Sequence, residues 1–229
     1  MARARAAGFD NLNLDLMFGL PGQTSIEATR DLDQALACQP EHLSYYQLTL
    51  EPHTPFAHAP PPLPDDEMLW AMQSDAEASL AAAGFGHYEV SAYARAGYRC
   101  RHNLNYWNFG DYLGIGAGAH AKLTNPYTRH IWRQWKSRTP RHYLAGVYLA
   151  GESPVLPKDR LFEFLMNALR LTEGFPAPLL PARTGLLVES LTHAAREPLA
   201  RGLLELVGNQ WRATPQGNRF LNDLLQTFL

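Results

Sequence analysis

Cysteine is almost missing from this chain: Cys38 and Cys100 are the only two among 229 residues. Two thiols so far apart build neither a disulfide framework nor a CxxC metal or redox site, and their scarcity favours a reducing, cytoplasmic compartment. Long apolar runs are lacking as well. No stretch approaches the roughly 18–20 residues that span a bilayer, and the arginines of "MARARAAGFDN" have no hydrophobic segment behind them, which excludes a secretory signal. Nor is there an excess of one charge. Lys plus Arg number 20 against 22 Asp plus Glu, a net charge of -2, and the basic residues form no block. Nothing therefore steers the chain towards nucleic acid or an anionic membrane. HExxH and GxxxxGK[ST] are absent too, which removes zincin and P-loop chemistry from consideration.

What is present is an ordinary globular balance, 46% hydrophobic and 18% charged, in a chain long enough for one large domain or a main domain with a small one attached. The opening residues read as the last turns of a helix stopped by Gly8, which predicts that the domain begins upstream of Met1. "NLNLDLMF" (11–18) alternates, with Leu12, Leu14 and Leu16 on one side and Asn13, Asp15 and Met17 on the other. Thr24 and Glu27 are spaced as a capping box for a helix running to about Cys38. Strand formers follow at 42–50, then a proline-rich loop (52–64), a helix from Asp65 to Ala83 and a strand at 87–94. Strand, helix, strand, helix, strand predicts a parallel α/β architecture. Beyond Pro126 the pattern changes to a connector bearing two tryptophans. A helix at 159–171 follows, with Leu161, Phe162, Leu165, Ala168 and Leu169 on its apolar face and Phe164 beside it. The final residues read as helix, hairpin around Gly208-Asn209, and helix, a winged-helix outline; with near-neutral charge, a small domain packed on the barrel is favoured over DNA binding.

Several motifs invite chemistry. Asp15, near the end of its strand, is placed either for a ligand in a barrel interior or for a hydrogen bond to a neighbouring loop. "GLPGQT" is a weak anion-binding turn whose default is a tight connection. His53 and His58 lack a visible third metal ligand, and Glu51 and Glu89 lack a partner that would make either a base. "HNLNYW" (102–107) is more informative. His102 suits haem iron, Tyr106 and Trp107 offer flat faces to a macrocycle, and Asn103 could orient the imidazole. The other reading is a loop anchored to the core by its aromatics. "GIGAGAH" (114–120) adds backbone that approaches a ligand closely at Gly116 and Gly118, or a glycine-rich strand against a helix.

In this order, "AGFDNLNLDLMFGLPGQT", "PEHLSYYQLTLEPHTPFA", "GFGHYEVSAYA", "HNLNYW" and "YLGIGAGAHA" resemble the oxygen-independent coproporphyrinogen III oxidase-like radical SAM family. "HNxxYW" is closer to the haem-chaperone (HemW) branch than to the oxidase. The resemblance implies the later strands of a partial (β/α)6 barrel over 1–125, a connector over 126–157 and a small helical, winged-helix-like C-terminal domain over 158–229. It implies haem, S-adenosylmethionine and, in the full-length form, a [4Fe–4S] cluster whose CxxxCxxC ligands this chain lacks.

Carried over position by position, Asp15 matches a residue that contacts S-adenosylmethionine, and Thr49 a small residue at that site. His120 matches a position near that cofactor, preceded by Gly116 and Gly118. His102 matches the histidine linked to haem iron, with Asn103, Tyr106 and Trp107 completing that motif. Two positions depart from the family pattern: Ala92 stands in place of Asn, and Ala117 in place of Pro. The implied partners are haem and a haem-accepting protein, with no nucleic acid and no transmembrane segment. Peripheral membrane association is left open, and no feature specifies an oligomeric state. Without cluster ligands the chain is expected to do no radical chemistry alone, and an open barrel edge predicts self-association. Coproporphyrinogen oxidation and a folded, inert fragment are the rival readings.

Overall fold

Gly8 ends the first helix, α1 (Ala2–Ala6), in a left-handed conformation (φ +90°). Arg5 of that helix pairs with Glu41 at 2.7 Å. The alternating segment that follows becomes β1 (Asn13–Phe18). A helix, α2 (Ser25–Ala37), crosses over to β2 (His42–Gln47), which lies parallel to β1 with Asp15 opposite Ser44. The capping box is present in both directions: Thr24 Oγ1 accepts the Glu27 amide, and the Glu27 carboxylate accepts the Thr24 amide. The hydrogen bonds from Thr24, that of its backbone amide first, hold the Glu27 carboxyl below its ordinary range. α2 buries Ala28, Leu32 and Ala35, one helical face. Phe18 stacks on Tyr45 at 4.5 Å beneath it.

The proline-rich loop contains one short helix, α3 (Pro55–His58), and leads to α4 (Asp66–Ala82), capped by Asp65 and stopped at Gly84. Here the expected single strand at 87–94 is corrected. The chain forms β3 (Gly86–Glu89), turns at Val90 and Ser91, and returns as β4 (Ala92–Ala94). The sheet order is β1-β2-β4-β3, with β4 antiparallel to both neighbours. β3 therefore runs in the direction the crossover dictates, while β4 folds back and occupies the place beside β2. The Ser91 carbonyl accepts the Tyr45 amide at 2.8 Å, which docks the turn on β2. The sheet is thus mixed, and only β1 and β2 pair in parallel.

The computed structural model describes residues 1–229 and divides into two units, Met1–Cys100 and Arg101–Leu229. The second unit begins with α5 (Arg101–Trp107), so "HNLNYW" is helical and the expectation of a loop is corrected. The glycine-rich segment that follows is likewise a turn, with Gly116 (φ +108°) and Gly118 (φ +73°) in left-handed conformations that no strand uses. β5 (His120–Thr124), β6 (Ile131–Lys136) and, after α6 (Pro140–Leu144), β7 (Leu149–Pro154) form an antiparallel sheet in that order.

α7 (Arg160–Ala168) then enters the core of the unit. β8 (Phe175–Pro176), α8 (Leu179–Thr184), α9 (Val188–Ala194) and α10 (Arg196–Ala200) lead to the hairpin of β9 (Leu204–Val207) and β10 (Gln210–Ala213). Two short helices close the chain, α11 (Pro215–Arg219) and α12 (Leu221–Gln226). The helix–hairpin–helix order read from the sequence is what forms. Phe164 corrects the reading of α7: it is fully buried and packs edge-on against Phe109 and Phe175, whereas Leu161 and Phe162 are half-buried. No helix is long and apolar enough to cross a membrane.

Candidate functional site

Asp15 projects from β1 as an exposed carboxylate, and its position is set from behind. Asn13 Nδ2 donates to Asp15 Oδ1 at 2.8 Å, and Asn13 Oδ1 lies 2.6 Å from His42 Nδ1. His42 Nε2 is 2.8 Å from the Tyr88 hydroxyl, which also accepts the Cys100 amide. His42 is buried, and burial pushes its imidazole below the ordinary histidine range, while the Asp15 carboxylate pulls the other way. The neutral ring is therefore a fixed strut at neutral pH. A two-residue spacing on a strand puts Asn13 and Asp15 on one face. His42 and Tyr88, which complete the chain of contacts, went unseen in the sequence because only the folded sheet joins them.

Thr49 is exposed just past β2, with its hydroxyl 3.3 Å from Glu51 Oε1. The neighbouring "GLPGQT" segment is a tight turn and offers no free anion nest. Leu20 donates to the Gln23 side chain, Gln23 to the Leu20 carbonyl and Gly22 to the Pro62 carbonyl. No set of three His, Cys, Asp or Glu side chains is placed to hold a metal ion, so His53 and His58 gain no third ligand.

In the second unit, α5 sorts its motif into two lines by the four-residue spacing of a helix. His102 is exposed and meets the edge of Tyr106 at 4.7 Å. Tyr106 in turn packs edge-on against Tyr112 at 4.5 Å. On the adjacent line are Asn103 and Trp107. The Arg170 guanidinium covers the Trp107 ring at 4.3 Å, and the Trp107 indole N–H is buried with no hydrogen-bond partner. The structure thus brings His102 and Tyr106 together at the surface and turns Trp107 inward.

The end of α5 is pinned by a contact the sequence did not reveal. Lys122, fully buried on β5, donates to the Phe109 carbonyl at 3.0 Å and to Asp111 at 2.8 Å, with its ammonium 4.2 Å over the Phe109 ring. Burial lowers the Lys122 ammonium from its ordinary range despite that pairing. Burial would raise the half-exposed Asp111 carboxyl, and its bonds from Lys122 and Thr124 outweigh it and hold the carboxyl low. The glycine turn between them is equally built. The Gly116 amide donates to the Tyr143 hydroxyl at 3.0 Å and the Gly118 amide to the Ser137 carbonyl at 2.8 Å. His120 follows as an exposed residue opening β5.

This arrangement defines a class: a mixed α/β unit followed by a helix-and-hairpin domain. Residues 155–220 match the HemN C-terminal domain family. Coproporphyrinogen III oxidase (HemN) from Escherichia coli, described as a radical SAM enzyme, shares the fold with a TM-score of 0.76 at 16% identity, over 99% of this chain and 56% of that one. The relation by sequence is closer to proteins of another name. The chain is 48% identical over 226 residues to the heme chaperone HemW of Escherichia coli and 47% identical to that of Haemophilus influenzae. It is 32% identical over 241 residues to HemW of Bacillus subtilis. Over nearly its whole length it is a homologue of proteins named heme chaperone HemW, and it carries the HemN C-terminal domain match, as its ordered motifs indicated. These matches cover 99% of this chain and 60%, 59% and 61% of the three relatives, so the chain spans about three-fifths of the curated relatives it matches.

Proposed function

We propose that this chain is part of a haem chaperone that binds haem in the cytoplasm and passes it to an acceptor protein, with His102 as an iron ligand. The observation that carries the reading is the exposure of His102 on α5 beside the edge of Tyr106. An accessible imidazole next to a flat aromatic suits an iron porphyrin. Asn103 and Trp107 support α5 from its adjacent line. The names of the homologues point the same way.

The first unit contributes the later strands of the radical SAM barrel in this reading. Asp15, an exposed carboxylate held by Asn13, fits the amino or hydroxyl groups of S-adenosylmethionine, with Thr49 as a further contact from the same unit; for His120, Gly116 and Gly118 of the second unit the role rests on the family resemblance alone. The [4Fe–4S] cluster does not fit the residues present: Cys38 and Cys100 are free thiols and no three-residue cluster-holding set exists.

Titration of the purified chain with hemin tests the iron ligand. A shifted Soret band is expected, and His102→Ala should weaken or displace it. An unchanged band in that variant removes His102 from the role.

A further inference from the structure

Several cations of this chain have carboxylate partners at 2.6 to 2.8 Å: Arg5 with Glu41, Lys122 with Asp111, Arg133 with Glu163, and Arg212 with Glu205. One group in the second unit does not. Lys136 and Arg138 line a cavity of about 540 Å³ together with His120, Trp135, Ser137 and His142, and no acidic residue lines it. Two unpaired cations and two imidazoles face one space in a chain whose net charge is -2. Such a concentration of one sign raises the local concentration of an anion.

The cavity is built by irregular backbone. Consecutive residues of a regular strand face opposite sides. Here β6 and β7 shift register, Trp135 opposing Gly151 and Lys136 opposing Leu149, so Ala150 is the extra residue of a bulge and itself lines the cavity. The bulge lies in β7 opposite Trp135 and Lys136, and both of those β6 residues line the cavity with Ala150. The Trp135 indole lies on Gly151, where an added Cβ would stand 2.4 Å from Cζ2. The glycine turn closes one side through the Gly118–Ser137 bond and a Lys136 amide bond to the Ala119 carbonyl, both at 2.8 Å.

We propose that this cavity receives the acidic edge of a planar aromatic dicarboxylate, the propionate side of a tetrapyrrole. Arg138 and Lys136 hold the carboxylates and Trp135 lies against the ring. A guanidinium matches a carboxylate in two places and an ammonium serves as a point charge. Cavities of roughly 300–1,000 Å³ accommodate ligands of this order. The proposal takes its ligand class from the haem reading above, but its site does not depend on His102.

Iron-free protoporphyrin IX separates the two, because it offers His102 no metal. The chain is titrated with protoporphyrin IX and with its dimethyl ester, following tryptophan fluorescence quenching. The free acid should bind at least about tenfold more tightly than the ester, the loss expected when charge-assisted hydrogen bonds are removed. Lys136→Ala/Arg138→Ala should lose the same factor for the acid and nothing for the ester, and Lys136→Arg should keep binding. Trp135→Phe should remove most of the quenching. Equal binding of acid and ester, an unaffected double variant, or no binding of either porphyrin overturns the proposal. If His102→Ala leaves the hemin spectrum unchanged while the double variant still loses tenfold for protoporphyrin, only the iron-ligand reading fails.

Discussion

His42 Nδ1 lies 2.6 Å from Asn13 Oδ1, and that contact fixes the tautomer of a buried imidazole. The Asn13 amide is oriented by its donation to Asp15, so the oxygen faces His42, and an amide oxygen only accepts. Nδ1 therefore carries the hydrogen. Nε2 is left to accept from Tyr88, whose oxygen already accepts the Cys100 amide. A proton added at Nε2 would oppose the Tyr88 donor inside a buried site.

The consequence is measurable by titration. Burial holds His42 below the ordinary histidine value of about 6.5, and Asp15 is the influence that raises it. NMR should find His42 titrating below that value and Asp15→Asn moving it lower still; an upward move in the variant would show that the two do not interact. The linkage has a definite sign. Between the folded and unfolded pKa the unfolded chain binds more protons, so this residue's contribution to stability is present above about pH 6.5 and is lost as pH falls below it.

Asp111 gives a second pH-dependent contribution at lower pH. Its carboxyl is held below the ordinary aspartate value of about 3.9 by Lys122 and Thr124, so its stabilisation is present above that pH and is lost as pH falls through the folded pKa. Asp111→Asn leaves the Lys122 ammonium buried with one partner fewer. The expected cost is about 1–3 kcal/mol in urea unfolding, towards the lower end because Asp111 is partly exposed. Replacing both residues, as in Lys122→Met/Asp111→Asn, should recover part of the loss. A single variant as stable as the parent at pH 7 would show that the pair is screened out.

The parts of this fold that could be read in the sequence are those specified by neighbours in the chain. Thr24 and Glu27 find each other three residues apart, and Asp65 and Gly84 bracket α4, so those helices appear where the pattern puts them. The hairpin at 86–94 is hidden because Val90 is a strand former and Ser91 stands alone as a turn residue, and its turn is stabilised by the Tyr45 amide from β2. Seven residues of α5 give too little periodicity to separate a helix from an anchored loop. Phe164 was set one position off the apolar face because its neighbours Phe109 and Phe175 come from distant segments. The candidate site divides the same way. His102, Asn103, Tyr106 and Trp107 form a local motif, whereas His42 and Tyr88 behind Asp15, and the β7 bulge opposite Trp135 and Lys136, exist only once strands pair.

The glycine turn shows why a motif can be legible while its reason is not. At Gly116 a Cβ would meet no protein atom within 4 Å, so within the fold its glycine answers to the backbone, at φ +108°. Gly114 carries the steric requirement, because a Cβ would stand 2.4 Å from the His120 carbonyl oxygen. That atom belongs to β5 and cannot move aside as a flexible side chain would. Gly114→Ala should therefore destabilise the chain by about 1–3 kcal/mol through overpacking, read as an earlier midpoint in urea unfolding with an unchanged slope. Gly116→Ala should cost about 1–2 kcal/mol through left-handed strain alone. If Gly114→Ala unfolds at the parent midpoint, the turn has room beside His120, and the packing seen between Gly114 and β5 does not hold it in place.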